Sequence, residues 1–169
     1  MTDRGSEYAR LLAENARYID AFDRSALTAA PLSGLAIVTC MDARLDVEET
    51  LGLRTGDAHI IRNAGGLVTD DVIRSLIVSQ QLLGTNEIVV IQHTGCGLHD
   101  VDERDLRERL ATMAGVSEDD IGIDFGGFTD LAASARAQVA ILREHQLVRR
   151  VPVHGLVFDV LTGRLHEVV

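Results

Sequence analysis

Short apolar runs alternate with longer amphipathic segments along this chain. Two apolar runs, residues 35–40 and 88–92, are rich in β-branched residues and too short for buried helices, so they predict buried strands. Residues 57–63 predict a further strand. Four longer segments repeat apolar residues at helical spacing and predict helices over residues 6–23, 70–83, 102–113 and 129–145. A further short helix is predicted after Asp46, where Glu49 completes a start resembling a capping box and Gly52 ends the helix.

The last part of the chain predicts two strands that are connected by a tight turn and not by a helix. Two apolar segments, residues 154–160 and 164–169, lie on either side of Thr162-Gly163, a pair typical of a hairpin turn. Earlier in the chain, strands that alternate with helices are typical of a parallel sheet. We therefore predict an α/β fold with a largely parallel central β-sheet flanked by helices and with a C-terminal hairpin.

Length and composition indicate one globular domain. The chain has 169 residues, of which 46% are hydrophobic and 25% are charged, a balance that supports a buried core and argues against disorder. No run approaches the roughly 20 consecutive apolar residues of a membrane helix, and the charged segment 1–15 lacks the apolar stretch of a secretory signal. We therefore expect one domain over residues 1–169, located in the cytoplasm and without a membrane partner.

The charge of the chain argues against a nucleic-acid partner. Its formal net charge is -10, and its 16 basic residues are all arginines that are scattered along the sequence. With no Trp, two Tyr and four Phe, the chain has few aromatic side chains on which bases would stack. We therefore expect a small-molecule substrate.

Both cysteines follow apolar runs and stand beside other reactive side chains. Cys40 ends the first predicted strand and opens the sequence Cys-Met-Asp-Ala-Arg, in which an extended backbone would place Cys40, Asp42 and Arg44 on one side. A disulfide between Cys40 and Cys96 is not expected in the reducing cytoplasm, so metal binding or catalysis is the better interpretation. Burial of two small apolar thiols is the alternative.

The second cysteine belongs to the sequence His-Thr-Gly-Cys-Gly, which follows the third predicted strand. Gly95 and Gly97 allow a turn tight enough for a His93 nitrogen and the Cys96 sulfur to converge on one point. In parallel sheets, ligands bind beyond the carboxyl ends of strands, where Cys40 and His93 both fall. Two thiolates and an imidazole are ligands that zinc favours, and three protein ligands leave one position for water, as catalytic zinc sites do.

Together, the two sequences resemble the motifs of the β-class carbonic anhydrases. The similarity extends to Ile-Arg-Asn-Ala-Gly-Gly, residues 61–66, and to the start of the helix that follows it. The resemblance implies the α/β fold predicted above, one zinc ion per chain, and assembly as a homodimer or a dimer of dimers. It also implies that a zinc-bound hydroxide hydrates carbon dioxide reversibly to bicarbonate and a proton.

The resemblance also implies roles for individual residues. Its thiolate, imidazole and thiolate ligands correspond to Cys40, His93 and Cys96, and its Asp–Arg pair corresponds to Asp42 and Arg44 as catalytic residues. Asp42 would accept a hydrogen bond from the hydroxide while Arg44 holds the carboxylate ionised and oriented. Some family members let this aspartate bind zinc, and we hypothesise that Asp42 does so when its pairing with Arg44 breaks, most readily at lower pH. Because two thiolates offset the charge of zinc, we expect activity to favour somewhat alkaline pH.

Other functions fit the same residues. Relatives with the same ligands hydrolyse carbonyl sulfide or carbon disulfide, and the sequence offers no clear feature that separates these linear substrates from carbon dioxide. A zinc-binding or thiol-based sensor without turnover is a second alternative, and it predicts that Asp42 and Arg44 can be replaced without loss of function. His99 is interpreted either as a proton relay or as a solvated loop residue, and His59 as a core or interface residue.

Overall fold

The central feature of the fold is a mixed, largely parallel sheet. The computed structural model describes residues 6–23 and 26–169, and within these ranges five strands form one sheet. They are β1 (Leu35–Cys40), β2 (Ala58–Asn63), β3 (Glu87–His93), β4 (Val153–Phe158) and β5 (Leu165–Glu167). The strands lie in the order β2-β1-β3-β4-β5, and only β5 runs antiparallel to its neighbour. The predicted α/β fold, with its C-terminal hairpin, is confirmed.

Helices connect the strands and begin at side-chain caps. Within the described ranges the α-helices are α1 (Glu7–Tyr18), α2 (Val47–Leu51), α3 (Asp70–Leu82), α4 (Glu103–Ala114) and α5 (Leu131–Glu144). The Asp46 side chain accepts a hydrogen bond from the Glu49 backbone N–H at the start of α2, and Gly52 ends this helix with a φ of 66°. None of these helices has both the length and the apolar character needed to cross a membrane.

Two apolar clusters hold the sheet between the helices. Alternate residues of β1 point to opposite faces, so Ala36 and Val38 belong to one cluster while Ile37 belongs to the other. The first cluster packs β1 and β3 against α3 and α5. The second covers the opposite face and includes Cys40 and Cys96. The two cysteines are therefore a continuation of the core toward one end of the sheet.

The structure shifts some of the predicted boundaries for local reasons. α5 begins at Leu131, later than the sequence predicts, because Asp130 caps its first turn. β3 continues to His93, one position beyond its predicted end, because His93 pairs with Phe158 of β4. Residues 1–5, which are part of the charged N-terminal segment, lie outside the described residues.

Candidate metal centre

Adjacent strands carry two of the predicted ligands to the same end of the sheet. Cys40 is the last residue of β1 and His93 is the last residue of β3, and these strands pair in parallel. After His93 the chain turns through Gly95, whose φ of 62° lies in the left-handed region that glycine adopts without strain. This turn brings Cys96 back beside Cys40.

The three predicted donor atoms converge. One ligand atom each from Cys40, His93 and Cys96 lies within 4.8 Å of the other two, and the two sulfurs are 4.0 Å apart. All three residues are buried. In the part of the chain that the structure describes, this is the one group of three His, Cys, Asp or Glu side chains with such spacing.

His93 presents a free lone pair to the other two side chains. Its Nδ1 lies 3.0 Å from the Thr94 carbonyl oxygen, which can only accept, so Nδ1 carries the proton and Nε2 does not. Nε2 is buried and has no hydrogen-bond partner among residues 6–23 and 26–169. Burial lowers the pKa of His93 and so keeps the ring neutral. A buried imidazole nitrogen with an unused lone pair is a group that a metal ion would satisfy.

The sulfur pair also fits a cation. Cys40 and Cys96 are both free. Burial raises the pKa of Cys96, and the neighbouring Cys40 raises it further, so a thiolate at Cys96 would be favoured by a nearby positive charge. A dication held between the sulfurs would supply that charge and would also bind the imidazole nitrogen. The donor set therefore fits zinc, which prefers sulfur and nitrogen ligands.

Asp42 and Arg44 form a two-point ion pair beside this group. Arg44 Nε donates to Asp42 Oδ1 at 3.0 Å, and Arg44 Nη2 donates to Asp42 Oδ2 at 2.7 Å. The Arg44 side-chain and backbone hydrogen bonds hold the pKa of Asp42 well below its usual range. Asp42 Oδ2 lies 3.7 Å from His93 Nε2, so the carboxylate stands next to the three converging ligand atoms.

The same arginine joins the two motifs. Arg44 Nη2 also donates to the Gly95 carbonyl oxygen at 2.9 Å, which connects the segment after β1 to the turn after β3. The backbone N–H of Arg44 donates to Asp42 Oδ1 at 2.9 Å and fixes the turn locally. The alternation of side chains that an extended backbone predicts for residues 40–44 is therefore interrupted. A bend after β1 brings the Arg44 guanidinium onto the Asp42 carboxylate.

Arg62 is a positioning residue that the sequence analysis did not identify individually. Its Nε donates to the Cys40 carbonyl oxygen at 3.0 Å, and its Nη2 donates to the Asp42 carbonyl oxygen at 2.7 Å. In the parallel register Arg62 pairs with Thr39, directly before the first cysteine. The side chain therefore fixes the backbone on which Cys40 and Asp42 are presented. Only knowledge of the strand order would have revealed this from the sequence.

An apolar cavity of about 340 Å³ opens beside the candidate ligands. Its lining, besides Cys40, Asp42 and Cys96, comes from small or apolar residues: Met41, Ala64, Gly65, Gly97 and Leu98. Asp42 is the one charged side chain among them. A larger cavity of about 790 Å³ lies between the loops before α3 and α5 and contains none of the predicted site residues, so the smaller cavity is the candidate substrate space.

The two histidines considered for other roles lie outside this cavity lining. His99 Nε2 donates to the Thr129 carbonyl oxygen at 3.0 Å, and its ring contacts Phe128. His59 is half-buried. Its Nδ1 lies 2.7 Å from the Ser79 hydroxyl oxygen, and its Nε2 lies 2.7 Å from the Ala29 carbonyl oxygen. His59 therefore ties β2 to α3 and to the segment before β1, as a structural residue does.

Known proteins resemble this chain in sequence and in architecture. A family model described as carbonic anhydrase matches residues 35–117. Beta-carbonic anhydrase 1 of Mycobacterium tuberculosis is 41% identical over 162 residues, covering 93% of this chain and 94% of the relative. Carbon disulfide hydrolase of Saccharolobus solfataricus is 38% identical over 155 residues, covering 79% of this chain and 76% of the relative. The structure of a carbonic anhydrase from Streptococcus mutans aligns with a TM-score of 0.89 at 43% identity, covering 97% of this chain and 98% of the other.

Proposed function

This chain belongs to the β-class carbonic anhydrase family, and on that premise we propose that it catalyses the reversible hydration of carbon dioxide to bicarbonate and a proton. Cys40, His93 and Cys96 would hold one zinc ion per chain. The observation that carries the proposal is the buried, unpartnered His93 Nε2, which faces two sulfurs and lies beside an Asp–Arg pair. Bound zinc would act as a Lewis acid that lowers the pKa of a water molecule at its open position.

The ligand residues set the charge of the site. Thiolates at Cys40 and Cys96 together offset the charge of a zinc dication, whereas the neutral His93 ring adds none. The resulting site would acidify water less than one built from three neutral histidines. This charge balance supports the expectation that activity favours somewhat alkaline pH.

Asp42 would orient the reacting water. Each carboxylate oxygen can accept more than one hydrogen bond, so Asp42 Oδ2 retains a lone pair after accepting from Arg44. This oxygen would accept a hydrogen bond from the water and thereby direct the oxygen lone pair of the water toward the substrate. Arg44 keeps the carboxylate ionised and fixes its orientation through two hydrogen bonds. Direct ligation of the metal by Asp42 at low pH stays a prediction.

The cavity suits a small, uncharged, linear substrate. Met41, Ala64 and Leu98 offer apolar surface beside the ligands. Such surface would accept carbon dioxide without charged partners, while the Asp42 carboxylate would repel the bicarbonate anion and favour its release. The lining of this cavity would therefore favour both the entry of carbon dioxide and the release of bicarbonate.

A matched pair of variants tests this function. Asp42→Asn should lower kcat/KM for carbon dioxide by about 100-fold or more, because a neutral amide has only one acceptor oxygen and cannot accept both of the Arg44 hydrogen bonds that orient the carboxylate. Asp46→Asn is the control, since Asp46 caps α2 and asparagine caps as well, so its activity should stay within about twofold of wild type. Stopped-flow indicator assays measure the rates, and metal analysis should give about one zinc per chain in all three proteins. A zinc-loaded wild-type protein without hydration activity would overturn the proposal.

A second function is favoured by one comparison. The 38% identity with a carbon disulfide hydrolase and the apolar cavity support hydrolysis of carbon disulfide or carbonyl sulfide at the same site. Sulfide release measured beside carbon dioxide hydration ranks the two activities. A zinc or thiol sensor without turnover is distinguished by the same assays, because it predicts that the zinc-loaded wild-type protein turns over neither substrate.

We propose that residues 1–169 form one domain that acts as a homodimer or a dimer of dimers. The free Cys40 and Cys96 thiols suit the cytoplasm, where thiols stay reduced and able to bind metal.

A further inference from the structure

Gln92 is a buried polar side chain next to a candidate metal ligand, and the metal centre does not use it. It precedes His93 on β3 and is fully buried. Because side chains alternate along a strand, Gln92 points to the face opposite His93, the face of Val90 and the first apolar cluster. Its Nε2 donates to the Gly65 carbonyl oxygen at 2.8 Å. Its Oε1 is buried and has no hydrogen-bond partner in the described ranges.

The partner of Gln92 is a wall of the cavity. Gly65 lies in the 3₁₀ turn Ala64–Gly66, has a φ of 78°, and lines the space beside Cys40 and Cys96. A Cβ at Gly65 would stand 2.9 Å from Leu98 Cδ1, so the turn and Leu98 are in close contact. The hydrogen bond from Gln92 therefore fixes a turn that lines the cavity and against which Leu98, another lining residue, packs.

The unsatisfied Oε1 distinguishes this contact from an ordinary structural hydrogen bond. The Gln92 amide pairs its nitrogen but not its oxygen, so it adds little to the stability of the fold. The unpaired oxygen has lost its contact with water and gains no hydrogen bond in return. An apolar side chain of the same length would avoid that cost in this apolar surrounding. What glutamine adds here is a donor that fixes the position of Gly65.

We propose that Gln92 is a positioning residue that, through Gly65, holds the cavity wall in place and so sets the selectivity between carbon dioxide and the larger carbon disulfide. This inference rests on the proposed function, because it concerns the substrate choice of the same site. A wall held by a hydrogen bond excludes the larger sulfur atoms. A wall without that bond can shift and tolerate them.

Gln92→Met tests the role, with Gln80→Met as the matched control. Methionine has nearly the length of glutamine but cannot donate to Gly65. Gln80 on α3 is also buried, and both its amide groups bond to the backbone of Arg149, away from the cavity. The control therefore removes a buried amide without touching the wall.

Three measurements are made on zinc-loaded protein: kcat and KM for both substrates, melting temperature, and zinc content. Gln92→Met should raise the ratio of kcat/KM for carbon disulfide to that for carbon dioxide by about fivefold or more, mainly through KM, with zinc still near one per chain. Its melting temperature should stay near that of wild type, because removal of the unsatisfied oxygen offsets the lost hydrogen bond. Gln80→Met should keep the wild-type ratio and melt at a lower temperature.

A second variant keeps the proposal falsifiable if Gln92→Met folds poorly. Leu98→Ala enlarges the same space by shortening a second lining side chain and should shift the ratio in the same direction. A ratio that falls or stays within about twofold of wild type in the folded Gln92→Met protein would overturn the inference. So would an unchanged ratio in Leu98→Ala, or an equal shift in Gln80→Met. Failure of the proposed function would give a different result, because the wild-type protein would then turn over neither substrate.

Discussion

At the scale of the residue, the Asp42–Arg44 pair matters for its geometry more than for its charge. The guanidinium is about half exposed, so an ion pair of this kind contributes little stability by itself. Its two hydrogen bonds to Asp42 and a third to the Gly95 carbonyl nevertheless fix the carboxylate relative to the turn that carries Cys96. The pair is therefore best explained by orientation beside the candidate metal ligands.

Arg44→Lys tests that explanation. An ammonium keeps the charge but cannot make the forked contact, so we expect kcat/KM for carbon dioxide to fall about 10- to 100-fold while zinc content stays near wild type. Arg74→Lys is the control, because Arg74 makes a similar contact to Asp71 on the exposed surface of α3. Stopped-flow rates and metal analysis check both variants. Equal rates for Arg44→Lys and wild type would show that charge alone suffices.

The sequence predicts the three candidate ligands but not all the residues that position them. Cys40, His93 and Cys96 are predicted because sulfur and imidazole nitrogen are ligands that zinc favours, and because Cys40 and His93 fall at strand ends. Arg62 and Gln92 were not, because their roles depend on contacts across the sheet: Arg62 reaches β1 from a neighbouring strand, and Gln92 reaches Gly65 on the opposite face. Hydrophobic periodicity carries no information about such contacts.

At the scale of the element, the 3₁₀ turn Ala64–Gly66 is the tightest part of the site. Gly66 has a φ of 62°, and a Cβ there would stand 3.0 Å from the backbone nitrogen of Cys40 and from the backbone carbon of Thr39. The turn therefore lies directly on the end of β1. Glycine is required both for the backbone angle and for the close approach.

Gly66→Ala should destabilise the protein by about 2–5 kcal/mol, because a left-handed backbone cost adds to a clash with backbone atoms that cannot move aside. Gly84→Ala is the control: its φ is 81°, but no atom lies within 4 Å of the added Cβ, so about 1–2 kcal/mol is expected. Denaturant unfolding measures both free energies. Similar losses in the two variants would contradict the close approach of the turn to β1.

The strands themselves were predictable from their pattern, whereas their order was not. Runs of β-branched residues located β1 and β3 to within a residue, because buried strands leave a continuous apolar signal. The bounds predicted for β2 also differ from the structure by one residue. The extension of β3 to His93 depends on pairing with Phe158, which lies far away in the sequence. The placement of β3 beside β1, on which convergence of the ligands depends, likewise came from the structure and from family resemblance.

At the scale of the whole molecule, α1 contributes no side chain to the buried core. None of its side chains is buried, although Tyr8, Leu11 and Leu12 are large and apolar. An isolated helix of this length is marginal in water, and its apolar side chains call for a covering surface. The proposed homodimer would supply that surface from a second copy of the chain.

The double variant Leu11→Glu with Leu12→Glu should therefore weaken self-association and shift the protein toward the monomer. Leu161→Glu is the control, since Leu161 is 91% exposed after β4 and should leave assembly unchanged. Sedimentation velocity over a range of protein concentrations measures the change. Identical sedimentation of the double variant and wild type would exclude α1 from the subunit interface.

The distance along the chain between the two facing sulfurs has a consequence for synthesis. Cys40 and Cys96 are 56 positions apart, and they meet only after β3 has added to β1. During synthesis, Cys40 is therefore made about 3–11 s before Cys96. Until Cys96 exists and β3 pairs with β1, the candidate metal centre has only one sulfur, so we expect any tight binding of a metal ion to follow closure of the middle of the sheet.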